Sequence, residues 1–292
     1  MMHHEPVMIN EVLSLIEAHP HERILDGTLG LGGYSLAMLE RFPECEVLGV
    51  DRDSQAVAFS CERLKDYGER FRALHAEFSE LLDFDACRNR DAYVFDLGVS
   101  NMQLTLPERG FSFQNDGPLD MRMNPSSGTM TAAEVLKASD AETLARIFWS
   151  YGEERYSRQI AQAIKHSRSP IETTGQLVEV IRSALPQPVQ RKMGTHPARR
   201  VFQALRIYVN DEAGELERLL GLLPKVSEHA LAIFVSYHSL EDRLIKHTFR
   251  EWQAAGKGQV LTRHPLVPSQ EETLTNYKAR SAKLRAFCII RD

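Results

Sequence analysis

The first hundred residues alternate short apolar runs with helical patterns, and this alternation constrains the fold more than any other feature. Apolar runs of strand length lie at 23–28, 46–51, 70–76 and 92–98. Helical segments lie between the first and second runs and between the second and third. Strands that alternate with helices pair in parallel, because each crossover helix returns the chain to the same end of the sheet. The sequence therefore predicts an α/β protein built on a Rossmann-like, doubly wound parallel sheet.

The pattern changes after the fourth predicted strand. From about 107 to 200 a segment rich in glycine and proline is followed by helical segments, with no convincing strand. The sheet pattern then resumes with one long helix and three strands, predicted over 198–222, 231–237, 258–263 and 283–291. We therefore expect a discontinuous α/β domain, residues 1–106 and 205–292, interrupted by an all-helical insertion, residues 107–204.

Composition narrows the class of protein. The chain is 43% hydrophobic and 26% charged, and its longest apolar run, 230–237, is too short to cross a bilayer. Residues 1–12 contain an early acid and no apolar signal region, and the four scattered cysteines form no CxxC pair. We expect a cytoplasmic protein without an export segment, a disulfide framework or a zinc site.

A turn with four glycines, DGTLGLGGYS at 26–35, follows the first strand at the edge where open α/β sheets bind ligands. The dinucleotide fingerprint G-x-G-x-x-G is incomplete, because Ser35 stands where a third glycine is required after Gly30 and Gly32. Asp26 would also repel a pyrophosphate, by about 1 to 4 kcal/mol at 4 Å. S-adenosylmethionine, with an ammonium, a sulfonium and no phosphate, fits better. The alternatives are a tight turn without a ligand and a nicotinamide-dependent oxidoreductase.

Acids also end the second and fourth predicted strands. Asp51 lies 21 residues after Gly30, where a carboxylate can accept hydrogen bonds from both hydroxyls of an adenosine ribose. Phe78 follows the third strand and is a candidate to lie against adenine, with an ordinary core aromatic as the equal alternative. Asp96 faces the point where a transferred methyl group would emerge, and it either positions an exocyclic amine or only binds the cofactor.

Eight longer stretches run in order over nearly the whole chain. They are HHEPVMINEV (3–12), DGTLGLGGYS (26–35), GVDRDSQA (49–56), DLGVSNMQLTLPERGFSFQNDGPLDMRMN (96–124), YGEERYSRQIAQAI (151–164), THPARRVFQALRIYVNDE (195–212), VSYHSLEDRLIK (235–246) and ARSAKLR (279–285). Together they resemble the RsmH (MraW) family of small-subunit ribosomal RNA methyltransferases. The block at 96–124 and the HSLEDR motif are far more specific than the glycine turn.

The resemblance implies a class I S-adenosylmethionine-dependent methyltransferase that methylates N4 of a cytidine in the decoding region of 16S ribosomal RNA. The cofactor contacts that the motifs imply are Gly32, Gly33, Tyr34, Asp51, Phe78, Asp96 and Gln103. The family usually has histidine where this chain has Tyr34. If the backbone makes this cofactor contact, the change is harmless, and if the imidazole makes it, the affinity for the cofactor differs. Smaller departures are Asn101 for serine, Tyr237 for phenylalanine and NYKAR for NPRAR at 276–280.

Because the net charge is −5, any RNA site must be a local basic patch. Three segments offer one, at 109–123, 196–210 and 278–285, and each has an ordinary structural alternative: an Arg–Asp paired loop, a solvated helix face or a solvated charge run. The candidate RNA contacts in these segments are Arg109, Arg122, Arg199, Arg200, Arg206, Lys278, Arg280 and Lys283. We expect assembled small subunits to be a better substrate than short naked RNA.

The HSLEDR motif at 238–243 follows the strand predicted over 231–237. His238, Glu241 and Asp242 suggest a metal site, but the two acids face different sides of a helix and no second histidine follows at i+4. Ser239 followed by two acids instead predicts a helix N-terminus, and we expect no metal. His238 is a candidate to line the site of the target base.

Other functions remain open at the level of sequence. A non-catalytic RNA-binding or assembly factor would keep the fold, although the intact acids at 26, 51 and 96 argue against it. The target nucleotide and a bacterial or organellar ribosome are further alternatives. The sequence leaves the oligomeric state open, a homodimer included.

Overall fold

The computed structural model describes residues 6–193 and 196–290. Two sequence expectations fall outside these residues in part. The first is the expectation that residues 1–12 contain no export segment. The second is the family resemblance of the stretches 3–12 and 195–212, whose first residues, 3–5 and 195, are not described. Within the described part of the chain, no helix has the length and apolar character that crossing a membrane requires.

The described residues form seven strands and thirteen α-helices. The strands are β1 (Arg23–Asp26), β2 (Glu46–Asp51), β3 (Phe71–His75), β4 (Ala92–Asp96), β5 (His229–Ser236), β6 (Gly258–Val260) and β7 (Lys283–Ile290). The helices are α1 (Ile9–Glu17), α2 (Gly33–Arg41), α3 (Ser54–Arg63), α4 (Asn101–Thr105), α5 (Ala132–Ala138), α6 (Ala141–Gly152), α7 (Ser157–Lys165), α8 (Thr174–Ala184), α9 (Gln187–Lys192), α10 (Arg199–Val209), α11 (Glu212–Val226), α12 (Ser239–Ala254) and α13 (Gln270–Thr275).

The chain divides into two compact units. Met1–Gly98 and Gly214–Asp292 form the sheet unit, and Val99–Ala213 forms the helical unit. The predicted insertion, 107–204, lies inside the helical unit and is shorter at both ends. The difference at the first boundary has a physical reason, because Val99, which precedes the predicted start, packs against the apolar core of the helical unit.

All seven strands belong to one sheet with the order β3-β2-β1-β4-β5-β7-β6. The strands β1 to β5 pair in parallel, and β7 runs antiparallel to its neighbours β5 and β6. This is the strand order of class I methyltransferases, and it confirms the predicted fold class. The order reverses between β1 and β4, and ligands of such sheets bind beyond the carboxyl ends of the strands at that reversal.

Both faces of the sheet are covered by apolar side chains. Ile24 of β1 and Val94 of β4 pack in the cluster on one face, and their neighbours Leu25 and Phe95 pack in the cluster on the other. Successive side chains of a strand point to opposite faces, so a strand covered on both sides is apolar throughout. This is why the strands stand out in the sequence as continuous apolar runs.

The helical unit has an apolar core of its own. The helix α6 packs against α7 and α10. Phe148, Ile160, Leu177 and Leu205 are fully buried members of this core. The unit therefore has the hydrophobic interior that a compact helical body requires.

The single long helix predicted over 198–222 is wrong. The structure has two helices, α10 and α11, with a break at Asn210 and Asp211. Asp211 has a φ of 46°, in the left-handed region that interrupts a helix. The Asn210 side chain donates to the carbonyl of Met121 at 2.7 Å and accepts from the N–H of Met123 at 2.7 Å. The break therefore serves to anchor a distant loop, which helical periodicity does not reveal.

We expect Gly27→Ala to destabilise the protein by about 1 to 3 kcal/mol, because an added methyl group overpacks the core. A Cβ at Gly27 would lie 2.1 Å from Cε1 of Phe95, and that fully buried ring stacks on Phe234 with centroids 4.9 Å apart. Gly221→Ala is the matched control. A Cβ there meets nothing within 4 Å. It should stabilise α11 by about 0.5 to 1 kcal/mol. Urea unfolding of both variants measures the two effects, and equal stability of the two would contradict the packing argument.

Candidate active site

Three carboxylates lie at one edge of the sheet. Asp26, Asp51 and Asp96 are the last residues of β1, β2 and β4, three strands that lie side by side and run in the same direction. Their charges influence one another, since Asp51 and Asp96 both act to raise the pKa of Asp26. The edge therefore carries a concentrated negative charge that favours a cationic ligand.

Asp26 holds the glycine turn from inside. Its side chain is fully buried, accepting from Oγ of Ser35 at 2.7 Å and from the N–H of Thr28 at 3.3 Å. Burial is the main reason that its pKa rises to about 7. Because protein encloses it, Asp26 acts on a ligand through its charge and through the turn that it fixes.

The glycine turn requires glycine at two positions. Gly30 and Gly32 have φ values of 51° and 75°, in the left-handed region that side chains other than glycine rarely adopt. The Gly30 N–H donates to Asp51 at 2.7 Å, and its carbonyl accepts from Oγ of Ser60 at 3.0 Å. Gly32 is the N-cap of α2, which starts at Gly33 without a side-chain cap. Such a helix start favours an anionic group of a ligand.

Tyr34 points into the protein. The side chain is buried, and its hydroxyl donates to the carbonyl of Val7. Burial is the main cause that raises the pKa of this phenol well above its usual range, so the donor keeps its proton. The backbone is therefore the group through which this position can contact a ligand.

Asp51 is oriented by two backbone donors. Its Oδ2 accepts from Gly30 and its Oδ1 accepts from the N–H of Asp53 at 2.8 Å. The side chain is half-buried, and burial is the main cause that raises its pKa to about 6. Asp53 caps α3 by accepting from the N–H of Gln55 at 3.1 Å. Asp51 therefore keeps lone pairs for ligand hydroxyls in a fixed orientation.

Phe78 lies directly after β3, where the structure has a short 3₁₀ segment, Phe78–Asp83. Its ring is half-buried and meets Phe95 edge to face, with centroids 5.5 Å apart. The ring therefore packs on the core and also keeps an exposed part beside the strand ends. Both sequence interpretations, a core aromatic and an adenine contact, are compatible with this placement.

Asp96 holds an acceptor atom without a partner. Its backbone N–H donates to Oγ1 of Thr28 at 2.6 Å, which ties β4 to the glycine turn. Its Oδ1 is buried and has no hydrogen-bond partner among the described residues. Burial raises the pKa of Asp96 to about 6, while a hydrogen bond from Tyr237 and the charge of Lys278 act to lower it. A buried carboxylate oxygen of this kind is an acceptor that a ligand can satisfy.

Sequence reasoning missed Tyr237 as a partner of Asp96. Tyr237 follows β5, and its ring lies so close to the chain after β4 that a Cβ on Gly98 would be 2.8 Å from Cε2. Its place one residue beyond a strand end next to Asp96 is the signal that could have found it.

Lys278 was predicted to contact an RNA phosphate, and the structure directs it towards Asp96 instead. It lies on a 3₁₀ turn, Tyr277–Ser281, which we call the C-terminal turn. Asn276 caps the turn by accepting from the N–H of Lys278 at 3.3 Å, and the buried Ala279 anchors it. Burial lowers the pKa of Lys278 to about 8 and the charge of Asp96 acts to raise it. The lysine is therefore a half-buried counter-charge of the carboxylate.

His238 is the N-cap of α12, which begins at Ser239 as predicted. Its Nδ1 accepts from the N–H of Glu241 at 3.5 Å, and its Nε2 lies 3.0 Å from Oε1 of the same glutamate. Oε2 of Glu241 accepts from the N–H of Tyr237 at 2.9 Å. The histidine thus stands beside Tyr237 at the end of β5, and its imidazole is engaged in holding the start of the helix.

The helical unit contains Gln103, Arg109 and Arg122. Gln103 is buried in α4 and forms a reciprocal capping box with Ser100. Arg109 is also buried, and it donates to the carbonyls of Arg122 and Met123 at 3.1 and 3.0 Å. Arg122 pairs with Asp120 at 2.7 Å. The structural alternative, an Arg–Asp paired loop, describes this segment, so neither arginine presents a guanidinium that is unengaged by the loop.

The other basic candidates separate into paired and exposed groups. Arg206 forms two hydrogen bonds with Glu212, and Lys283 pairs with Asp242 at 3.0 Å. Arg199, Arg200 and Arg280 are exposed and form the second group. These three are the cations of the predicted set that can meet a polyanion without first breaking an ion pair between side chains.

The side chains at this edge fit S-adenosylmethionine. The carboxylates suit its ammonium and sulfonium, Asp51 suits ribose hydroxyls, and the start of α2 suits its carboxylate. The carboxylates at this edge, the buried Asp26 among them, offer no positive charge to a pyrophosphate at the turn. The donor set therefore disfavours a nicotinamide dinucleotide.

The chain is similar to known proteins over its whole length. A model of the MraW methylase family matches residues 1–290. The chain is 45% identical over 285 residues to a ribosomal RNA small subunit methyltransferase H of Cyanothece sp., covering 97% of this chain and 93% of that protein. The corresponding protein of Picosynechococcus sp. is 43% identical over 286 residues, covering 97% and 95%. A solved rRNA methylase of Streptococcus thermophilus matches with a TM-score of 0.41 at 10% identity, covering 100% of both chains. The chain belongs to the MraW methylase family.

Proposed function

We propose that the protein transfers a methyl group from S-adenosylmethionine to N4 of a cytidine in the decoding region of 16S ribosomal RNA. The observation that carries the proposal is the buried, unpartnered Oδ1 of Asp96 at the end of β4, beside Tyr237 and Lys278. Family membership supports the same chemistry, since the relatives named above are methyltransferases of small-subunit ribosomal RNA.

The chemistry needs a positioned amine more than a strong base. The exocyclic amine of cytosine is a weak nucleophile because its lone pair is delocalised into the ring. Oδ1 of Asp96 can accept a hydrogen bond from this amine, which favours the pyramidal form and aims the lone pair. Bound S-adenosylmethionine supplies an electrophilic methyl group on its sulfonium. The amine loses one proton in the reaction, and the proposal assigns this proton to the Asp96 carboxylate.

The surrounding side chains keep Asp96 ready for this role. Tyr237 donates to the carboxylate and Lys278 supplies a positive charge, so both favour its ionised form. The N–H of Asp96 is fixed on Thr28, which limits movement of the strand end relative to the glycine turn. Preorganised groups of this kind act without a reorganisation cost at the moment of reaction.

The RNA contacts of the proposal are the exposed cations Arg199, Arg200 and Arg280. The net charge of −5 supports assembled small subunits as the substrate, because their shape and proteins add to a weak electrostatic attraction. Since small subunits assemble in the cytoplasm of bacteria, the proposal places the enzyme there.

The proposal predicts a specific product. Small subunits from cells that lack this enzyme are incubated with the protein and methyl-labelled S-adenosylmethionine, and the RNA is digested to nucleosides for mass spectrometry. We expect N4-methylcytidine with the wild type and a loss of at least 100-fold with Asp96→Ala, which removes both acceptor oxygens.

Asp91→Asn is the matched control, because Asp91 precedes β4 and accepts from Arg23 at the opposite end of the sheet. It should keep the activity. Label on another nucleoside would show that the target is not N4 of a cytidine. Cofactor binding without any label would favour a non-catalytic assembly factor.

Cofactor affinity should depend on pH. Burial raises the pKa of Asp26 to about 7 and the pKa values of Asp51 and Asp96 to about 6, so these groups are largely uncharged at pH 5.5. Between pH 5.5 and 7.5 they ionise, and the Kd of S-adenosylmethionine, which carries two cationic groups, should fall several-fold. Methylthioadenosine, which lacks both cationic groups, should show a smaller change in calorimetric titrations. The same pH dependence for both ligands would contradict the role of the carboxylates.

The charge of Lys278 should set the acidic limb of the pH–rate profile. Lys278→Met removes an interaction that lowers the pKa of Asp96, so this pKa rises and the limb of kcat/KM moves to higher pH. Activity at pH 6 should then fall several-fold more than activity at pH 8. Lys278→Arg should restore the limb, whereas Lys283→Met, whose charge is paired with Asp242, should leave it in place. An unmoved limb in Lys278→Met would show that Lys278 does not act on Asp96.

A further inference from the structure

The outer face of the C-terminal turn carries an exposed aromatic side chain with a guanidinium on it. Tyr277 is 67% exposed. The guanidinium carbon of Arg280 lies 4.7 Å from the centroid of the Tyr277 ring. The Nε of Arg280 donates to the carbonyl of Thr273 at 3.2 Å, which fixes the guanidinium over the ring. A single exposed aromatic is ordinary in a folded protein, and the feature that distinguishes this one is the guanidinium held over its ring.

The two faces of this turn point to different partners. Lys278 and Ala279 are directed inward, the first to Asp96 and the second to the apolar core. Tyr277 and Arg280 are directed outward. Tyr277 and Arg280 therefore stand one and two residues from Lys278, the counter-charge of the carboxylate that, in the proposed function, receives the target amine.

A base that reaches this carboxylate must leave the stack of its neighbours. Enzymes that act on an extruded base lose the stacking energy of that base and of the bases next to it. Proteins recover this energy on exposed aromatic rings and on arginine planes, because every base has a face that stacks. Arginine adds an attraction to the phosphate of the same nucleotide and stacks on the ring itself.

We propose that Tyr277 and Arg280 form a stacking site for an unpaired nucleotide that neighbours the target cytidine in the RNA. The inference rests on the proposed function for the identity of the substrate. Tyr277 supplies the ring face and Arg280 supplies both a planar group and a positive charge.

The test measures binding of unmodified small subunits to the full chain in the presence of S-adenosylhomocysteine, together with the KM for subunits in methylation. We expect Tyr277→Ala to raise Kd and KM by about 5-fold to 100-fold, the range of one lost base stack, with kcat nearly unchanged. Tyr277→Phe should bind like the wild type, because it keeps the ring. Arg280→Gln should weaken binding several-fold and reduce its dependence on salt.

Two matched variants separate stacking from simple burial of an apolar group. Leu274 is 80% exposed on the neighbouring α13, and Leu274→Ala should leave binding unchanged. Tyr277→Leu keeps an apolar side chain without a ring face, and it should bind as weakly as Tyr277→Ala. Wild-type binding by Tyr277→Leu would indicate contact with a ribosomal protein and overturn the proposal, as would wild-type binding by Tyr277→Ala.

Two further measurements keep this inference distinct from the proposed function. Melting temperature and affinity for S-adenosylhomocysteine should be the same in all variants, because neither Tyr277 nor Arg280 is part of the apolar core. If the wild type binds subunits but makes no N4-methylcytidine, the proposed reaction fails while the binding series still decides the stacking site. If the wild type makes N4-methylcytidine and the variants bind alike, only the stacking site fails.

Discussion

The sheet unit is organised around three carboxylates, those of Asp26, Asp51 and Asp96, at neighbouring strand ends. Desolvation disfavours their charged forms, and at the buried Asp26 repulsion from the charges of Asp51 and Asp96 adds to this effect. The protein offsets this with donors from the glycine turn, namely Ser35 and the backbone of Gly30. The carboxylates therefore fix the conformation of the glycine turn, and donors of the turn stabilise the carboxylates. A cationic ligand relieves the remaining repulsion, whereas a pyrophosphate increases it, and this difference decides the class of cofactor.

The sequence could predict this edge because its geometry follows from topology. Parallel strands end on one side of a sheet, so acids at the ends of successive strands must approach one another. The partners of Asp96 could not be predicted in the same way. Lys278 belongs to a charge run at 278–285, and its members look equivalent in the sequence. The structure turns Lys278 inward on a 3₁₀ turn and pairs Lys283 with Asp242, so backbone direction and not composition decides what each cation does.

In the helical unit, too, the sequence does not reveal which cations are available to a ligand. Arg109 and Arg122 have the composition of an RNA-gripping loop, but their donors are engaged by carbonyls and by Asp120 within that loop. An arginine whose donors close a loop stabilises the fold, and the carbonyls it meets carry no signal in the sequence. Asn210 is a second example, because the helix break that it occupies exists to hold the same loop. The local sequence pattern predicted that this unit is helical. It also suggested that Arg109 and Arg122 are available to RNA, although their donors are engaged within the loop.

The start of the chain is connected both to α13 and to Tyr34, in the helix that follows the glycine turn. The hydroxyl of Tyr34 holds the carbonyl of Val7, and the next N–H, that of Met8, donates to Glu272 of α13 at 2.7 Å. The helix α13 packs in turn against the C-terminal turn. The glycine turn is thereby linked through a short N-terminal segment to the element that carries Lys278. Residues far apart in the chain thus hold these elements together, and the buried phenol of Tyr34 is one of the groups that do so.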